Sequence, residues 1–428
     1  MGFRSLKTGA NGPLAMSNVS AAVPTTPIIG TATRSEIGVN ATVTFTPSIY
    51  GSAATSYTVI ASSGGVTQTG SSSPITIFGL SGNTTYTFTV VANNANGSST
   101  PSAATNSITT IQPVVATGGS IATPGDGFRY HTFTGSGTFQ VTAGTANASV
   151  LVVAGGGGGA IGAINSGMNP GSGGGAGGVV TSPITISSTS GPGSNGIHSV
   201  TVGGGGAAAP TSNSPAGLNQ ATSGGNSAFA GITTAVGGGF AISGAWTTEN
   251  GFTSGPGGSS GGAGNYGALG SATPGQGNQG GTPGSPSPSN YNRMGGGGAD
   301  ARAISYADGA PVGLPGKTVF QAYGGAGRLV PLTGSYYGGG GAGVSTFNQQ
   351  NNGGLDAYMS NGGIGGGGNG AIMNSKPNPQ GGPNWHRGAS AGVANTGGGG
   401  GGGDNIPVAG LQPAQAGGSG VVIVRYPA

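Results

Sequence analysis

Apolar and polar positions alternate with a period of two in short runs between Pro24 and about Ile111. The clearest runs are Ala41-Thr42-Val43-Thr44-Phe45-Thr46, Tyr57-Thr58-Val59, Ile75-Thr76-Ile77 and Tyr86-Thr87-Phe88-Thr89-Val90. Ser63-Gly64-Gly65, Ser81-Gly82-Asn83 and Asn96-Gly97 punctuate them as turns. Alternation bounded by turn residues is the mark of a half-buried strand, and about seven such strands in so short a segment predict a two-sheet sandwich.

Further along, the pattern changes. Apolar strands run straight into glycine: Ser149-Val150-Leu151-Val152-Val153-Ala154 leads into Gly155–Gly159, Val200-Thr201-Val202 into Gly203–Gly206, and Thr234-Ala235-Val236 into Gly237–Gly239. A solid run fills Gly397–Gly403. The region opens on Phe128-Arg129-Tyr130-His131-Thr132-Phe133 and Gly137-Thr138-Phe139-Gln140-Val141, and closes on Val421-Val422-Ile423-Val424-Arg425-Tyr426. The blocks begin at 155, 203, 237, 338, 365 and 397, so no constant rung length supports a solenoid. Glycine costs about 1 kcal/mol per helical residue relative to alanine, and no amphipathic helical stretch occurs. The fold class expected is therefore all-β: a sandwich, then a glycine-rich β domain.

Composition then narrows the picture. Glycine and proline account for 101 and 27 of 428 residues, a level that in an aperiodic chain usually accompanies disorder. Yet apolar residues make up 34% and charged residues only 4%, the reverse of a disordered composition. Glycine does not recur at every third residue, which excludes collagen. The net charge of +4 rests on 11 basic and 7 acidic residues, and Arg34, Arg129, Arg293, Arg302, Arg328 and Arg387 are scattered singly. No basic stripe exists for phosphates, so no nucleic-acid partner is expected. There is no cysteine for disulfides or thiolate metal sites.

An ordered glycine block must recover the large backbone entropy that glycine loses. Two geometries do so: the extended three-residue helix of polyproline II type, bundled so that neighbouring helices bond to one another (polyglycine II), or a tight sheet of bare strands. The first is the expectation for Gly397–Gly403 and the other long blocks. The alternative is loops on a sandwich.

Two segments resemble known families. Gly79-Leu80-Ser81-Gly82-Asn83-Thr84-Thr85-Tyr86-Thr87-Phe88-Thr89-Val90 resembles the E–F region of a fibronectin type III domain. The resemblance implies that Tyr86 is the tyrosine-corner residue and Leu80 the core residue before it. Phe45 stands where that family has a strand-B tryptophan, and Tyr57 matches its strand-C aromatic. Such modules serve mostly as spacers or display units. The second region, in its opening and closing strands, resembles the glycine-rich domain of phage tail proteins and some bacterial surface proteins, which implies that those strands pair within one sheet system. Its composition is similar to that of receptor-binding adhesins of some tailed phages. The expected organisation is an arm over residues 1–22, a fibronectin type III-like domain over 23–111, a linker over 112–123 and a glycine-rich domain over 124–428.

Enzymatic signals are weak. Gly155-Gly156-Gly157-Gly158-Gly159-Ala160 after a strand matches a dinucleotide fingerprint, but no Asp or Glu follows before Glu249. Gly316-Lys317-Thr318 lacks a phosphate loop's first glycine, since Pro311 stands there. Asp300 and Asp308 are the one candidate carboxylate pair for glycan hydrolysis, though their reading as turn residues is preferred. His131, His198 and His386 show no metal-ligand spacing, and His131 reads as a surface or core-edge residue. No catalytic residue, cofactor or metal site is expected.

Recognition is expected in the loops between glycine blocks. The candidates are Trp246, Tyr291 with Arg293, and Trp385-His386-Arg387, because aromatic and arginine side chains dominate binding hot spots. Tyr336-Tyr337 is read rather as a loop anchor. The start of the chain shows no apolar signal segment and no stretch suits a membrane helix. The chain is thus expected to be a virion protein of a tailed phage, released by lysis: a tail fibre or tail-tip adhesin. Its expected partners are other virion subunits through the arm, a host glycan or outer-membrane protein, and further copies of itself, a trimer among the options. A capsid decoration protein, a bacterial matrix or surface polymer and a glycan-degrading enzyme are the alternatives.

Overall fold

In the computed structural model the residues described are 22–35, 39–162, 171–189, 194–211, 219–243, 253–264, 267–281, 294–303, 318–320, 322–348, 360–374, 387–406 and 410–428. They form two units, divided between Pro113 and Val114.

The alternating runs of the first unit become strands, as their period requires. β1 (Ile28–Arg34), β2 (Ala41–Thr46) and β5 (Ile75–Ile77) make one antiparallel sheet in the order β1-β2-β5. β3 (Ser56–Ala61), β4 (Thr67–Gly70), β7 (Phe88–Asn94) and β8 (Gly97–Ser98) make the other, ordered β4-β3-β7-β8. A short pair joins β6 (Thr85–Tyr86) to β9 (Ile108–Thr109). Val43, Phe45, Val59, Ile77, Leu80, Phe88 and Val90 fill the space between sheets. Phe45 and Tyr57 meet with ring centroids 4.8 Å apart. The Tyr86 hydroxyl accepts the Ser81 N–H at 3.0 Å, tying the E–F turn down five residues upstream. All four residues singled out for this domain lie in its core: Phe45, Tyr57, Leu80 and Tyr86.

Along β7 the chain returns in a form that sequence alternation does not announce. Ser99, Ser102 and Thr105, three apart, each give a backbone N–H to β7 and take one back on the hydroxyl. The carbonyls of Ala92, Val90 and Phe88 accept the backbone bonds, and the N–H groups of the same residues donate to the hydroxyls at 2.9–3.1 Å.

The second unit starts earlier than expected. Residues 112–123, read as a linker, carry β10 (Val115–Thr117) and β11 (Ser120–Ala122), because each pairs with a strand of the opening segment. β12 (Phe128–Phe133), β14 (Thr145–Val153), β15 (Val179–Ser187) and the closing strand Val421–Pro427 form a five-stranded antiparallel sheet with β11. The closing strand lies between β12 and β14; its pairing with β12 is what the resemblance implied, and its place beside β14 was not expected. β13 (Gly137–Ala143) belongs instead to a second sheet with β10, β16 (Ile197–Thr201) and Ala228–Phe229.

Alternation sorts side chains between the two faces of the five-stranded sheet. Val150, Val152, Val422, Val424 and Tyr426 face the second sheet, against Phe139, Val141, Val200 and Phe229. Leu151, Val153, Val421 and Ile423 face the other way and are covered by Val330, Leu332 and Tyr337. Both central strands are thus buried on two faces, which explains their unbroken Val/Ile runs.

From the end of β14 the chain enters a lattice of bare backbone. Residues 155–160 hydrogen-bond in a three-residue rhythm. Gly155 and Gly158 donate to Gly225 and Thr222, Gly156 and Gly159 to Gly418 and Gln415, and Gly157 and Ala160 to Gly175 and Ser172. The carbonyls follow the same rhythm. Gly155 and Gly158 accept from Gly238 and Ala241, Gly156 and Gly159 from Gly206 and Ala209, and Gly157 and Ala160 from Gly400 and Gly403. These bonds measure 2.8–3.1 Å. One segment is therefore surrounded by six others, three antiparallel through its N–H groups and three parallel through its carbonyls. That is the threefold bonding of polyglycine II, in which residues i and i+3 share a face. Segments 171–178 and 397–403 repeat it with their own neighbours.

At the central block no side chain fits. A Cβ on Gly155, Gly156, Gly157, Gly158 or Gly159 would overlap the carbonyl oxygen of Gly204, Gly398, Gly239, Ala207 or Gly401 respectively. Gly397, at φ 70, supplies the left-handed turn into its block.

Candidate functional site

The direction of each lattice segment follows from its bonding partners. If 154–162 is taken as rising away from the sheets, then 203–209, 237–241, 259–262, 278–281, 338–344, 368–371 and 397–403 also rise. Segments 171–178, 222–225, 254–258, 268–272, 294–298, 322–327, 390–393 and 415–418 descend. Turns at the sheet end are short or packed. There the hairpin Arg328–Val330 with Ser335–Tyr337 lies on the sheet; Tyr337 is half-buried against the core beneath it, whereas Tyr336, expected to anchor with it, is exposed. The Arg328 guanidinium binds the carbonyls of Val179, Gly275 and Ala299 at 3.0–3.1 Å, so this arginine is a structural clasp.

At the far end the described residues break off and resume. Positions 162 and 171, 211 and 219, 243 and 253, 281 and 294, 348 and 360, 374 and 387, and 406 and 410 each stand between a rising segment and a descending one, 360–364 descending beside 324–327. Short strand pairs stand there, including Asn219–Gln220 with Ile242–Ser243 and Asp404–Ile406 with Gly410–Gln412. The described bases of the connectors thus gather at one end of the lattice.

Of the predicted recognition residues, Trp246, Tyr291, Arg293, Trp385 and His386 lie outside the described residues, as does Asp308. Arg387 is described and exposed, and its carbonyl accepts the Ile372 N–H at 3.0 Å at this same end. Asp300 is exposed, with its N–H on the Ala326 carbonyl. A shallow, open polar depression is lined by Ser271, Asn278, Gln279 and Arg302.

The two packed sheets of the second unit hold a cluster that sequence reasoning missed. His131, expected at a surface or core edge, is fully buried. Its Nδ1–H donates to the Gly118 carbonyl at 2.7 Å, so its Nε2 accepts from the Tyr426 hydroxyl at 3.0 Å. His198, also fully buried, stacks on Phe229 at 4.8 Å, and both histidines pack on Phe139. Burial pushes the His131 imidazole below its usual value. The nearby Arg129 charge adds to this, and the Gly118 hydrogen bond opposes it. Two histidines far apart in sequence converge because β12 and β16 face each other across the core, a relation no local pattern carries. At the outer end of β12, Tyr130 donates to Asp126 at 2.7 Å. That bond holds the carboxyl below its ordinary range and raises the phenol. Arg425 lies 4.2 Å over the Phe128 ring. Among the described residues no group of three acidic or histidine side chains could hold a metal, and no helix is long and apolar enough to cross a membrane.

A family model described as a fibronectin type III domain matches residues 31–108, and one described as a glycine-rich domain matches residues 131–427. No curated protein matches the chain. Among solved structures, "Titin kinase and its flanking domains" is similar at 20% identity with a TM-score of 0.18, covering 26% of this chain and 27% of that one. The matched part is thus about a quarter of that structure, and the likeness carries no argument about function. The glycine-rich match runs from within β12 through the lattice to the closing strand: the chain belongs to the glycine-rich domain family, with a fibronectin type III domain preceding that domain.

Proposed function

We propose that this chain is a structural protein of a tailed phage particle, a tail-fibre or tail-tip adhesin that presents its glycine-rich unit to the host surface. One observation carries the reading. The described bases of the long connectors lie together at the end of the lattice remote from the sheets, which suits a scaffold that presents its recognition residues at one end. Trp246, Tyr291, Arg293, Trp385, His386 and Arg387 belong in sequence to these connectors or their bases, and they are the residues proposed to contact a host glycan or outer-membrane protein. The fibronectin type III unit is a spacer, and residues 1–22 attach to another virion subunit. No enzymatic step is assigned.

Gold-labelled antibodies against residues 124–428 on intact particles test the location. Label at the tail tip is expected. Label confined to the capsid shell would replace the adhesin by a decoration protein, and no label on any particle would end the virion reading. On particles that carry the label, replacing Trp385, His386 and Arg387 together by alanine should slow adsorption to host cells at least ~10-fold, as loss of a hot-spot cluster does. Unchanged adsorption would remove these residues from the contact surface.

A further inference from the structure

The five-stranded sheet is completed by a strand that lies far away in the chain. Val421–Pro427 pairs with β12 from Phe128↔Pro427 to Phe133↔Val422, and with β14 from Ser149↔Arg425 to Val153↔Val421. The His131–Tyr426 contact joins residues 295 positions apart, and all the glycine segments lie between them in sequence. Without this strand, β12 and β14 would face each other with two rows of unpaired N–H and C=O groups. Both cores would lose central members: Val422, Val424 and Tyr426 on one face, Val421 and Ile423 on the other.

The lattice itself aims the strand. Gln415, Gly417 and Gly418 donate to Gly401, Gly206 and Gly398, and Gly420 donates to the Gly203 carbonyl at 2.9 Å. Val421 is thereby delivered opposite Val153. Once the lattice stands, the closure of a very long loop has already been met, and inserting seven residues costs little more.

We propose that the gap between β12 and β14 is a strand-binding slot, filled by residues 421–427 after the lattice forms, and able to take the same strand supplied as a separate peptide. The slot is selective because a one-residue slip would send Val422, Val424 and Tyr426 to the wrong face. Arg425 over Phe128 adds a second marker of register. Backbone pairing provides affinity and the alternating pockets provide specificity, as in other strand-addition complexes. The device makes the five-stranded sheet a check on a complete lattice, since a chain broken within the lattice leaves two exposed strand edges.

The test uses the full chain carrying Val422→Asp and Val424→Asp, with amide hydrogen exchange as readout. Slot-facing amides of β12 and β14 are expected to exchange at least ~100-fold faster than in the unaltered chain, while those of Gly155–Gly159 stay protected. A fluorescein-labelled peptide of residues 420–428 should bind this variant stoichiometrically and restore the protection, and a peptide carrying the same two aspartates should not bind. Undiminished protection without peptide, or equal binding of both peptides, overturns the proposal. If the variant aggregates, pulsed exchange during refolding of the unaltered chain decides the order. Protection at Val421–Tyr426 must appear after that at Gly155–Gly159, and simultaneous or earlier protection refutes ordered entry.

Discussion

The fibronectin type III sandwich and the glycine lattice solve the same problem with opposite materials. The sandwich is held by side chains: Phe45, Tyr57, Phe88 and their neighbours exclude water, and backbone pairing follows. In the lattice the backbone is the core, and the Cβ positions of Gly155–Gly159 are filled by other segments' carbonyls. Buried apolar area contributes about 25 cal/mol per Å² in the first case. In the second, stability must come from hydrogen bonds worth about 1 kcal/mol net each, many of them, against the largest backbone entropy loss of any residue. Every N–H and C=O of residues 155–160 finds a partner. The two regions also share a device. Ser99, Ser102 and Thr105 lie along β7 with the same three-residue rhythm, but with hydroxyls completing what bare neighbours complete in the lattice. A period of three in backbone bonding is thus available to both; only the lattice stacks it in two dimensions.

Breaking this contrast should give effects of graded size. The largest is Gly157→Val, whose side chain would strike the Gly239 carbonyl. Calorimetry should show the glycine-rich unit's transition abolished and the fibronectin type III transition unmoved. Phe45→Ala is the mirror experiment. It should cost the first unit about 3 kcal/mol or more, as large-to-small core changes do, and leave the second unit unchanged in denaturant melts. Ser102→Ala orphans the buried Val90 N–H. A loss of about 1–3 kcal/mol in the first unit is expected from chemical denaturation, and Ser102→Thr should recover part of it.

The next effect is one of pH. All three histidines lie in the glycine-rich part of the sequence, and buried His131 is held neutral. Its folded value is below the unfolded one near 6.5, so its contribution is fully present above about pH 6.5. It is lost as pH falls through the lower folded value, because the unfolded chain takes up the proton first. The unfolding free energy of the second unit, read from denaturant melts, should therefore drop between pH 7 and 5 with a slope of up to ~1.4 kcal/mol per pH unit. His131→Gln should flatten the slope, whereas a slope identical to that of the unaltered chain would remove His131 as its source. The first unit lacks this component. The smallest effect is Gly204→Ala. A Cβ there meets nothing within 4 Å, so removing unfolded-state freedom should stabilise by about 0.4–1 kcal/mol, read from thermal melts. A destabilisation comparable to that of Gly157→Val would show that lattice glycines are needed for reasons other than space.

Much of the fold was legible because its signals are local. Period-two alternation located β2, β3, β5 and β7, and the resemblance of Gly79–Val90 to a fibronectin type III E–F region located the tyrosine corner. Polyglycine II could be favoured because few ordered alternatives exist for a seven-glycine run. Residues 112–123 misled because Ser-, Ala- and Gly-rich strands at a sheet edge look like a linker until their partners are known. His131 misled because its neighbours Thr132 and Arg129 are half-exposed, while its own face meets Tyr426 from a strand 295 positions away.

The sequence by itself determined that the chain is all-β, that a side-chain sandwich precedes a glycine-dominated region, and that the latter is ordered by bare backbone. Each follows from composition and short-range period, which act residue by residue. Tertiary structure decided which segments are neighbours in the lattice, which end gathers the connector bases, and that Val421–Pro427 fills the middle of a sheet begun at Phe128. Glycine carries no side chain to encode a partner. The pairing of one glycine segment with six others is therefore set by the chain's direction, its turns and the strands that anchor it.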